Sequence, residues 1–463
     1  MKAAGLIAVL LILGINTLAQ KFDVDTLVYN GISDKRINLV ILSDGYTVSE
    51  ISKFITDATS FTTGFFNEPP YKNYQKYFNV FIIKVPSNES GASHPGTAAD
   101  EPVPALPVIV VDNYFGSTFD FAGIHRLLVA TKTSVISSVL ASNFPNYDQA
   151  LILVNSPEYG GSGGGLAVAS TNVLSIQIAI HELGHSFGGL SDEYWAGDNY
   201  AREGINMTQQ TNPLLVRWKN WYGTNGIGIY QHGTTGISAL WYRPHQNCEM
   251  RYLNRSFCSV CVQGIVEKIH SLITPVDSYI PAVNNITGIF YPLKFKLNIV
   301  APAPNTLRRI WMLNGSSFKR NIDSVFINES HLSAGTNTLV ATVEDTTQFL
   351  RVDNHSTVHI SSVSWSINKS ITGIKKIISS SSEVIIDLYP NPTSEYINIK
   401  LLGAIKGKIR LEISDIQGKR LKVSLLNSDE VNFIDLNNLG QGIYVARIFI
   451  DNNLITSRKI IRQ

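Results

Sequence analysis

The segment from Thr171 to Glu193 constrains the fold of this chain more than any other stretch. It contains two histidines four positions apart, His181 and His185, among closely spaced apolar residues. On a helix, residues at this spacing lie one turn apart on the same face, so both imidazoles can reach one metal ion. Almost all of the remaining positions are apolar, which predicts a helix that is buried in a core. A buried histidine needs a hydrogen-bonding or metal partner.

The same helix carries an acidic residue, Glu182, beside the first histidine. The pattern His-Glu-x-x-His is the arrangement of zinc peptidases, in which the glutamate is not a ligand but accepts a proton from the metal-bound water. We expect Thr171 or Asn172 to cap the start of the helix, and Gly188 and Gly189 to end it. Core histidines that are simply hydrogen-bonded are the alternative, and burial favours the metal site.

Two acidic residues just after the helix are candidates for the remaining ligand. A catalytic zinc ion has three protein ligands and one open position for water. The glycines after His185 allow a sharp turn, and Asp192 and Glu193 follow it. We expect Asp192 to be the third ligand, with Glu193 next. Either could instead be a solvated turn residue or could orient a ligand histidine.

Downstream, Met250 is followed two positions later by a tyrosine, Tyr252. This resembles the Met-turn of the metzincin clan, which implies that the methionine lies beneath the metal and that Tyr252 helps to hold the oxyanion. An ordinary core methionine is the alternative. The metzincin pattern is incomplete, because Ser191 stands where its third histidine would be.

The beginning of the chain predicts export. Residues 1–19 combine Lys2, an apolar run and a small-residue cleavage site, which is typical of a signal peptide rather than a membrane anchor. No later apolar segment is long enough to span a bilayer. The 463 residues predict two to four domains, and a net charge of +2 argues against nucleic acid as a partner.

Alternating strand and helix patterns precede the histidine helix and indicate an α/β layer. A glycine-rich stretch, 160–165, leads into that helix, where a substrate backbone could pair with an edge strand. A phosphate-binding loop is the weaker alternative, because the Gly-Lys-Ser/Thr ending is missing. The predicted elements are strands at 37–42, 78–85 and 149–154, helices at 49–66 and 119–141, and a loop at 87–107.

The three cysteines, Cys248, Cys258 and Cys261, lie in one short stretch. In an oxidising exterior, one disulfide and one spare thiol is the preferred interpretation. A small structural zinc site completed by His245 is the alternative.

Several motifs recur in order between residues 25 and 270. They are Ile41–Tyr46, Tyr159–Gly164, His181–Tyr194, Tyr242–Pro244, Cys248–Arg251 and Phe257–Cys261. Together they resemble the IgA-peptidase family of secreted bacterial metalloendopeptidases. The resemblance implies a zinc endopeptidase with an α/β zincin-like (metzincin-like) domain at 20–275. The resemblance does not imply that this chain cleaves immunoglobulin A, which is the substrate of a founding member of the family.

The pattern changes after residue 275. Short alternating runs separated by Pro, Gly and Asn predict an Ig-like β-sandwich at 276–366. Spacing, or packing against the preceding domain, is the preferred role, and substrate docking is the alternative. A serine-rich linker is predicted at 367–384.

Residues 385–463 contain a Tyr-Pro-Asn-Pro opening at Tyr389, an Asp-x-x-Gly turn at Asp415 and a Gly-x-Tyr close at Gly442. This resembles the C-terminal sorting domain of type IX secretion, here predicted as a second β-sandwich. The resemblance implies passage through the outer membrane, followed by release or attachment at the cell surface.

The sequence thus predicts a multidomain protein with an α/β zincin-like domain and two β-sandwich domains. Its predicted function is that of a secreted zinc-dependent endopeptidase: His181, His185 and Asp192 bind Zn²⁺, and Glu182 activates the zinc-bound water. Protein or peptide substrates and the type IX secretion machinery are its expected partners. One alternative is a surface adhesin or glycan-binding protein with a degenerate peptidase-like domain. Another is a metal-dependent hydrolase of a non-peptide bond, with a closed pocket rather than a groove.

Overall fold

The computed structural model describes residues 20–287, 291–369, 385–402, 407–428 and 430–463. The predicted signal peptide and all but three residues of the predicted linker lie outside them. Contacts divide the chain into two compact units. The first comprises the chain up to 277 with 298–309 and 342–361, and the second comprises 278–297, 310–341 and 362–463.

A six-stranded mixed sheet organises the first unit, with strand order β1-β3-β2-β6-β8-β7. The central strands β3, β2, β6 and β8 run parallel, whereas β1 and β7 pair antiparallel at the two edges. Small two-stranded sheets pair β4 with β5 and β9 with β10. The strands are β1 (Asp23–Val28), β2 (Ile37–Asp44), β3 (Phe78–Lys84), β4 (Ser117–Thr118), β5 (Val129–Ala130), β6 (Gln149–Val154), β7 (Gly161–Ser162), β8 (Ala167–Ser170), β9 (Tyr230–Gln231) and β10 (Tyr242–Arg243).

Helices cover both faces of this sheet, because the alternating side chains of β2 pack into two different hydrophobic clusters. Successive side chains of a strand point to opposite faces. Leu39 and Ile41 join the cluster that contains residues of α1, α3 and α4, while Val40 and Leu42 join the cluster that contains residues of α2. The helices are α1 (Ile51–Phe65), α2 (Thr133–Asn143), α3 (Ser175–Ser186) and α4 (Ser259–Leu272). The predicted α/β layer therefore forms, with α3 on one face.

The predicted helix at 119–141 is wrong in its first half. Asp120 and Ala122 adopt left-handed backbone conformations, with φ of 62° and 54°, and Gly123 has φ of 77°. A right-handed helix cannot continue through such residues. Helix α2 therefore begins only at Thr133, and the preceding stretch forms an irregular wall beside β7.

Two later stretches of chain complete the core of the first unit. Val300 and Leu350 belong to its hydrophobic cluster. The hydroxyl of Tyr74 donates to Asp345 Oδ2 at 2.5 Å, and His270 Nε2 lies 3.0 Å from the same oxygen. The segments 298–309 and 342–361 are therefore structural parts of this unit, although they follow it in sequence.

The strands between residues 276 and 369 form a three-stranded sheet, β11-β13-β16, and a five-stranded sheet, β12-β18-β17-β14-β15. Residues 357–360 form one of the alternating runs from which the β-sandwich is predicted, but they lie in a one-turn helix, α5 (His355–Val358), and at the start of β18. The strands are β11 (Val276–Ile280), β12 (Asn285–Ile286), β13 (Leu293–Ile299), β14 (Leu307–Leu313), β15 (Ser316–Arg320), β16 (Ser324–Ile327), β17 (Gly335–Asp345) and β18 (Ile360–Lys369).

Two antiparallel sheets, β19-β20-β23 and β22-β21-β24-β25, enclose the C-terminal core. Asp415 and Gly418 close the predicted turn with a 3.1 Å backbone hydrogen bond. The layout of the whole chain is multidomain and rich in sheets, as expected. None of the helices in the described ranges has the length and apolarity needed to cross a bilayer. The strands are β19 (Ile385–Tyr389), β20 (Tyr396–Leu402), β21 (Ile409–Asp415), β22 (Arg420–Leu426), β23 (Val431–Asp435), β24 (Gly442–Ile450) and β25 (Asn453–Arg462).

Candidate metal centre and active site

Helix α3 forms where the apolar pattern predicts it. Asn172 does not cap the helix directly, but its side chain accepts a 3.0 Å hydrogen bond from the backbone of Leu174, the residue at the N-cap. The helix ends as predicted at the glycine pair, because Gly189 takes a left-handed φ of 64°. This turn sends the chain back beside the last turn of α3.

Three predicted ligand side chains converge at that turn. His181 Nε2 and His185 Nε2 lie 3.2 Å apart, and Asp192 Oδ1 lies 3.1 Å from the first nitrogen and 3.2 Å from the second. The i, i+4 spacing on α3 brings the imidazoles together, and the glycine turn brings the carboxylate back to them.

Backbone carbonyls fix the orientation of both imidazole rings. His181 Nδ1 lies 3.0 Å from the carbonyl oxygen of Glu249, and His185 Nδ1 lies 2.8 Å from that of Leu190. A carbonyl only accepts, so each Nδ1 carries a proton and each Nε2 of the neutral ring presents its lone pair. Two lone pairs and a carboxylate oxygen in mutual contact require a cation between them.

The electrostatics of the cluster agree with this requirement. Burial disfavours an imidazolium, yet the hydrogen bond to Asp192 and the charges of Glu182 and Asp192 raise the pKa of His181 to about 9. Burial also disfavours the charged carboxylate of Asp192, but hydrogen bonds from both histidines hold its pKa below the ordinary range. The cluster therefore attracts positive charge, either protons or a metal ion.

The side chains of Asp192 and Glu193 point to different places, so only one of the two residues proposed as the third ligand lies beside the histidines. Asp192 meets the histidines. The carboxylate of Glu193 is fully buried, and its Oε1 lies 3.2 Å from Cys261 Sγ and accepts a 3.2 Å hydrogen bond from Asn206. Burial raises the pKa of Glu193 well above its ordinary value.

Glu182 lies beside the cluster, against a floor of glycine. A Cβ atom built at Gly163 would lie 2.8 Å from Glu182 Oε2, and one at Gly161 would lie 3.3 Å from Glu182 Cγ. Only glycine at these positions leaves the carboxylate its space. Burial raises the pKa of Glu182, and the two imidazoles oppose that effect.

The glycine-rich stretch is only partly an open edge. Gly161, in β7, forms a bridge with Leu127 and donates a 3.2 Å backbone hydrogen bond to Arg126. Residues 163–165 are exposed beyond this covered part. The predicted edge for a substrate backbone is therefore confined to this short glycine segment.

Met250 and Tyr252 lie near the cluster but differ in environment. Met250 is fully buried beneath α3, where a Cβ at Gly184 would meet its sulfur at 2.6 Å. Tyr252 is half exposed, packs over the Arg251 guanidinium at 4.7 Å and lines the same cavity as Glu182. The predicted role of Tyr252 in holding an oxyanion stays a prediction.

The sequence analysis missed two further residues of this region. The ring of Tyr194 stacks on that of His181 with centroids 6.4 Å apart, and the Arg126 guanidinium lies 5.6 Å from the Tyr194 ring. Burial and the charge of Asp192 raise the pKa of Tyr194, so its hydroxyl remains a donor. Tyr194 directly follows the acidic pair in sequence, which was a usable signal. Nothing in the sequence marked Arg126.

The site opens into a cavity of about 1430 Å³. The histidine cluster, Glu182 and the glycine segment line one part of it, and residues 194–202 line another. The cavity is large enough for several residues of an extended peptide, which favours a groove over a closed pocket for one small molecule.

Two more sets of side chains in the described chain place possible ligand atoms within 4.8 Å of one another. In the first, His94 and His125 alternate with Glu101 and Asp120 at nitrogen–oxygen distances of 3.1–3.5 Å. These contacts stabilise the irregular loop, whose residues Phe121 and Ile124 line the cavity.

The second set consists of Glu193 and the three cysteines. All three thiols are free and buried, so the preferred interpretation of one disulfide is wrong for this structure. The cysteine sulfurs surround the Glu193 carboxylate instead. His245 does not belong to this set, and its Nδ1 accepts a hydrogen bond from Asn247.

Comparison with known proteins identifies two parts of the chain. Residues 26–229 match the family model for IgA Peptidase M64, and residues 387–463 match that for a secretion system C-terminal sorting domain. No curated protein matches the sequence.

Solved structures match weakly. Dimeric latent PorU from Porphyromonas gingivalis has 15% identity and a TM-score of 0.16, over 39% of this chain and 19% of that chain. Bacteroides uniformis beta-glucuronidase 3 has 9% identity and a TM-score of 0.17, over 49% and 29%. Ruminococcus gnavus beta-glucuronidase has 10% identity and a TM-score of 0.14, over 34% and 30%. The chain spans less than a third of each, and such scores carry no argument.

The first family match includes α3 and Asp192, and the second covers the C-terminal sheets. A sorting domain of this type directs export, followed by secretion or attachment at the cell surface. The chain therefore combines a segment that matches the IgA peptidase M64 family, residues 26–229, with one that matches the type IX C-terminal sorting domain, residues 387–463.

Proposed function

We propose that the first unit is a zinc-dependent endopeptidase with a zincin-like fold, and that the exported protein cleaves peptide bonds inside protein substrates. One observation carries the proposal. Both Nδ1 atoms are committed to carbonyl oxygens, so the two Nε2 atoms and Asp192 Oδ1 face one another at 3.1–3.2 Å, which is the spacing of ligand atoms around one metal ion.

The donor set fits zinc. Zinc bonds of about 2.0–2.2 Å to nitrogen and oxygen in a tetrahedron place neighbouring ligand atoms roughly 3.3 Å apart. The distances among His181, His185 and Asp192 are within about 0.2 Å of that value. Three protein ligands with a cavity on the remaining side are the arrangement of a catalytic rather than a structural zinc site.

The residues around this position have distinct roles in the proposed mechanism. A bound zinc ion would supply Lewis acidity, polarising the scissile carbonyl and making water a stronger acid. Glu182 accepts a proton from the water that attacks the carbonyl carbon, and gives it to the amine nitrogen as the C–N bond breaks. We assign Tyr252 to donating a hydrogen bond to the developing oxyanion, since its half-exposed side chain lines the same cavity.

The exposed glycines provide the surface for an extended substrate. Backbone groups at 163–165 lack side chains that would keep another strand away, and they adjoin Glu182. A peptide pairing there would bring its carbonyl beside the ligand cluster. This arrangement suits an endopeptidase, because neither terminus of the peptide needs to enter an enclosed pocket.

The proposed domains are a signal peptide at 1–19, the peptidase at 20–275, a β-sandwich at 276–366, a linker at 367–384 and the sorting domain at 385–463, with one change: residues 298–309 and 342–361 belong to the peptidase unit rather than to the β-sandwich. The sorting domain implies the type IX secretion machinery as a partner. The middle β-sandwich would act as a spacer.

The test compares the full chain with Glu182→Gln. The variant should bind zinc as the wild type does, because Glu182 is not a ligand, while cleavage of a peptide library falls at least about 10³-fold, as expected when a general base is lost from the chemical step. Glu267→Gln is the matched control, since it makes the same change on α4 outside the cavity lining. Normal hydrolysis by Glu182→Gln would contradict the mechanism. A wild type that binds no zinc and functions fully in chelator would favour the adhesin alternative.

A further inference from the structure

The three cysteines and Glu193 form a compact buried set, which we call the thiol cluster. Cys248 Sγ lies 3.7 Å from Cys261 Sγ, and Glu193 Oε1 lies 3.2 Å from Cys261 Sγ and 3.7 Å from Cys258 Sγ. Cys248, Cys261 and Glu193 are 0% exposed and Cys258 is 6% exposed. Four ligand atoms therefore face one another in a site closed to solvent.

These separations match a coordination sphere rather than a covalent bridge. A disulfide requires sulfurs about 2.05 Å apart. Metal–sulfur bonds of about 2.3 Å in a tetrahedron place two sulfurs roughly 3.7–3.8 Å apart, and a sulfur and a carboxylate oxygen roughly 3.5 Å apart. Both kinds of observed distance fall near these values.

The carboxyl group of Glu193 forms no salt bridge in the described part of the chain. Its Oε2 is buried without a hydrogen-bond partner, and Oε1 contacts the thiols of Cys258 and Cys261 and the amide of Asn206. Arg243 interacts with Glu193 electrostatically but forms no ion pair with it. A carboxylate enclosed in this way is unfavourable unless a cation joins it.

Local structure favours a thiolate at one of the three sulfurs. Burial disfavours the charge, but hydrogen bonds from Cys258 and Cys261 lower the pKa of Cys248, whereas burial raises the pKa of Cys258 and Cys261, which would lose their protons on binding a metal ion. The backbone N–H of Cys258 donates a 3.3 Å hydrogen bond to Cys248 Sγ. Cys258 is the N-cap of α4, and Cys261 lies in its first turn, where the positive end of the helix dipole favours thiolates. The two cysteines also have the Cys-x-x-Cys spacing common in structural zinc sites.

We propose that Cys248, Cys258, Cys261 and Glu193 bind a second zinc ion in a closed, four-coordinate structural site. Three thiolates select a soft metal such as zinc over calcium or magnesium. All four positions are filled by protein atoms and buried, so this ion has no room for a reactive water. The evidence for this site does not rest on the proposed peptidase activity, and three of its ligands lie outside the segment matched to the family.

The proposed second ion would help to position the histidine cluster. Glu193 is the neighbour of Asp192, and its backbone N–H donates a 2.7 Å hydrogen bond to the carbonyl of Met250. Glu249, the neighbour of Cys248, supplies the carbonyl that orients His181. One ion would therefore hold both segments that shape the histidine cluster, and the thiol cluster residues act as positioning residues.

Cobalt spectroscopy of the full chain tests the proposal. Thiolate ligands give Co²⁺ an intense near-ultraviolet charge-transfer band, which histidine and aspartate ligands do not give. We expect this band in the wild type and in His185→Ala, and its loss in Cys261→Ser. X-ray absorption of the zinc-loaded protein should include a sulfur shell at about 2.3 Å.

Glu193→Gln and Glu267→Gln are a matched pair. Both replace a glutamate by its amide, but Glu267 lies on α4, the helix that carries Cys261, and is not in the thiol cluster. Glu193→Gln should weaken cobalt binding at the thiol cluster at least tenfold, and Glu267→Gln should leave it unchanged. Equal affinity in all three proteins would refute Glu193 as a ligand.

A thiol count decides between a metal site and a disulfide. The wild type, purified without reductant and unfolded in chelator, should yield three free thiols. One free thiol, or a folded wild type without any sulfur–metal signal, would overturn the proposal. These measurements use the wild type, so they hold even if a cysteine variant fails to fold.

Discussion

Gly163→Ala offers the sharpest test of how the glycine floor supports catalysis. The added methyl carbon would lie 2.7 Å from His185 Cβ, 2.8 Å from Glu182 Oε2 and 3.0 Å from His185 Cδ2. Carbon atoms pack at about 3.5–4.0 Å, so relief requires a movement of about 1 Å. Glu182 can turn its carboxylate aside, but His185 Cβ is fixed to α3. Either the catalytic carboxylate or the glycine segment must therefore shift.

A misplacement of about 1 Å costs about 10²-fold in rate, which corresponds to roughly 2.7 kcal/mol in the barrier. We expect that loss in kcat/KM for Gly163→Ala. The fold should survive, because Gly163 does not have a left-handed φ. At such a position alanine stabilises the folded state by about 0.4–1 kcal/mol, since it lowers the conformational entropy of the unfolded chain. Metal content separates the two ways of relieving the contact: it stays that of the wild type if Glu182 or the glycine segment moves, as we expect, and falls if the His185 ring moves.

Gly165→Ala is the control, because its Cβ would meet nothing within 4 Å and its φ is also not left-handed. Both variants are assayed for peptide hydrolysis, zinc content and Tm. Full activity of Gly163→Ala would refute the steric argument. An equal loss in both variants would mean that a side chain within residues 163–165 obstructs the substrate, rather than that Glu182 is displaced.

Three further substitutions test separate parts of the structure. Asp192→Asn should weaken zinc binding at the histidine cluster at least about 10²-fold, measured by chelator competition, and unchanged affinity would exclude Asp192 as a ligand. Tyr252→Phe should lower kcat about 10²-fold at constant zinc content if its hydroxyl holds the oxyanion, whereas unchanged kcat leaves it a surface residue. Asp345→Asn should destabilise the first unit by about 3–5 kcal/mol in urea unfolding. Burial disfavours the Asp345 charge, but hydrogen bonds from His270, Thr306 and Tyr74 lower its pKa. The stability that Asp345 adds is present above its unfolded pKa, about 3.9, and lost as pH falls through the lower folded pKa, so the variant should lack that acid-dependent loss.

Local sequence spacing was sufficient for the centre of the site. His181, His185 and Asp192 lie within twelve residues, and helical periodicity followed by a glycine turn determines how they meet. The same local logic predicted β2, α1 and β3 of the sheet. Each is a contiguous apolar or periodic segment whose pattern does not depend on distant residues.

Features that depend on distant contacts were not predictable. The thiol cluster joins Glu193 to cysteines more than 50 residues later, and no pattern in either segment predicts that they are in contact. Arg126 lies in a stretch whose apolar spacing suggested a helix. The left-handed conformations of Asp120 and Ala122 override that periodicity, because the surrounding loop and its ion pairs determine them.

The two segments 298–309 and 342–361 set a limit on where this protein can be shortened. A product that stops at residue 277 would leave the Tyr74 and His270 side chains without Asp345, and the hydroxyl of Tyr77 without its 2.9 Å bond to the Val300 carbonyl. A cut that removes the sorting domain and keeps the first unit intact must therefore fall beyond residue 361. A laboratory fragment meant for kinetics should end there too.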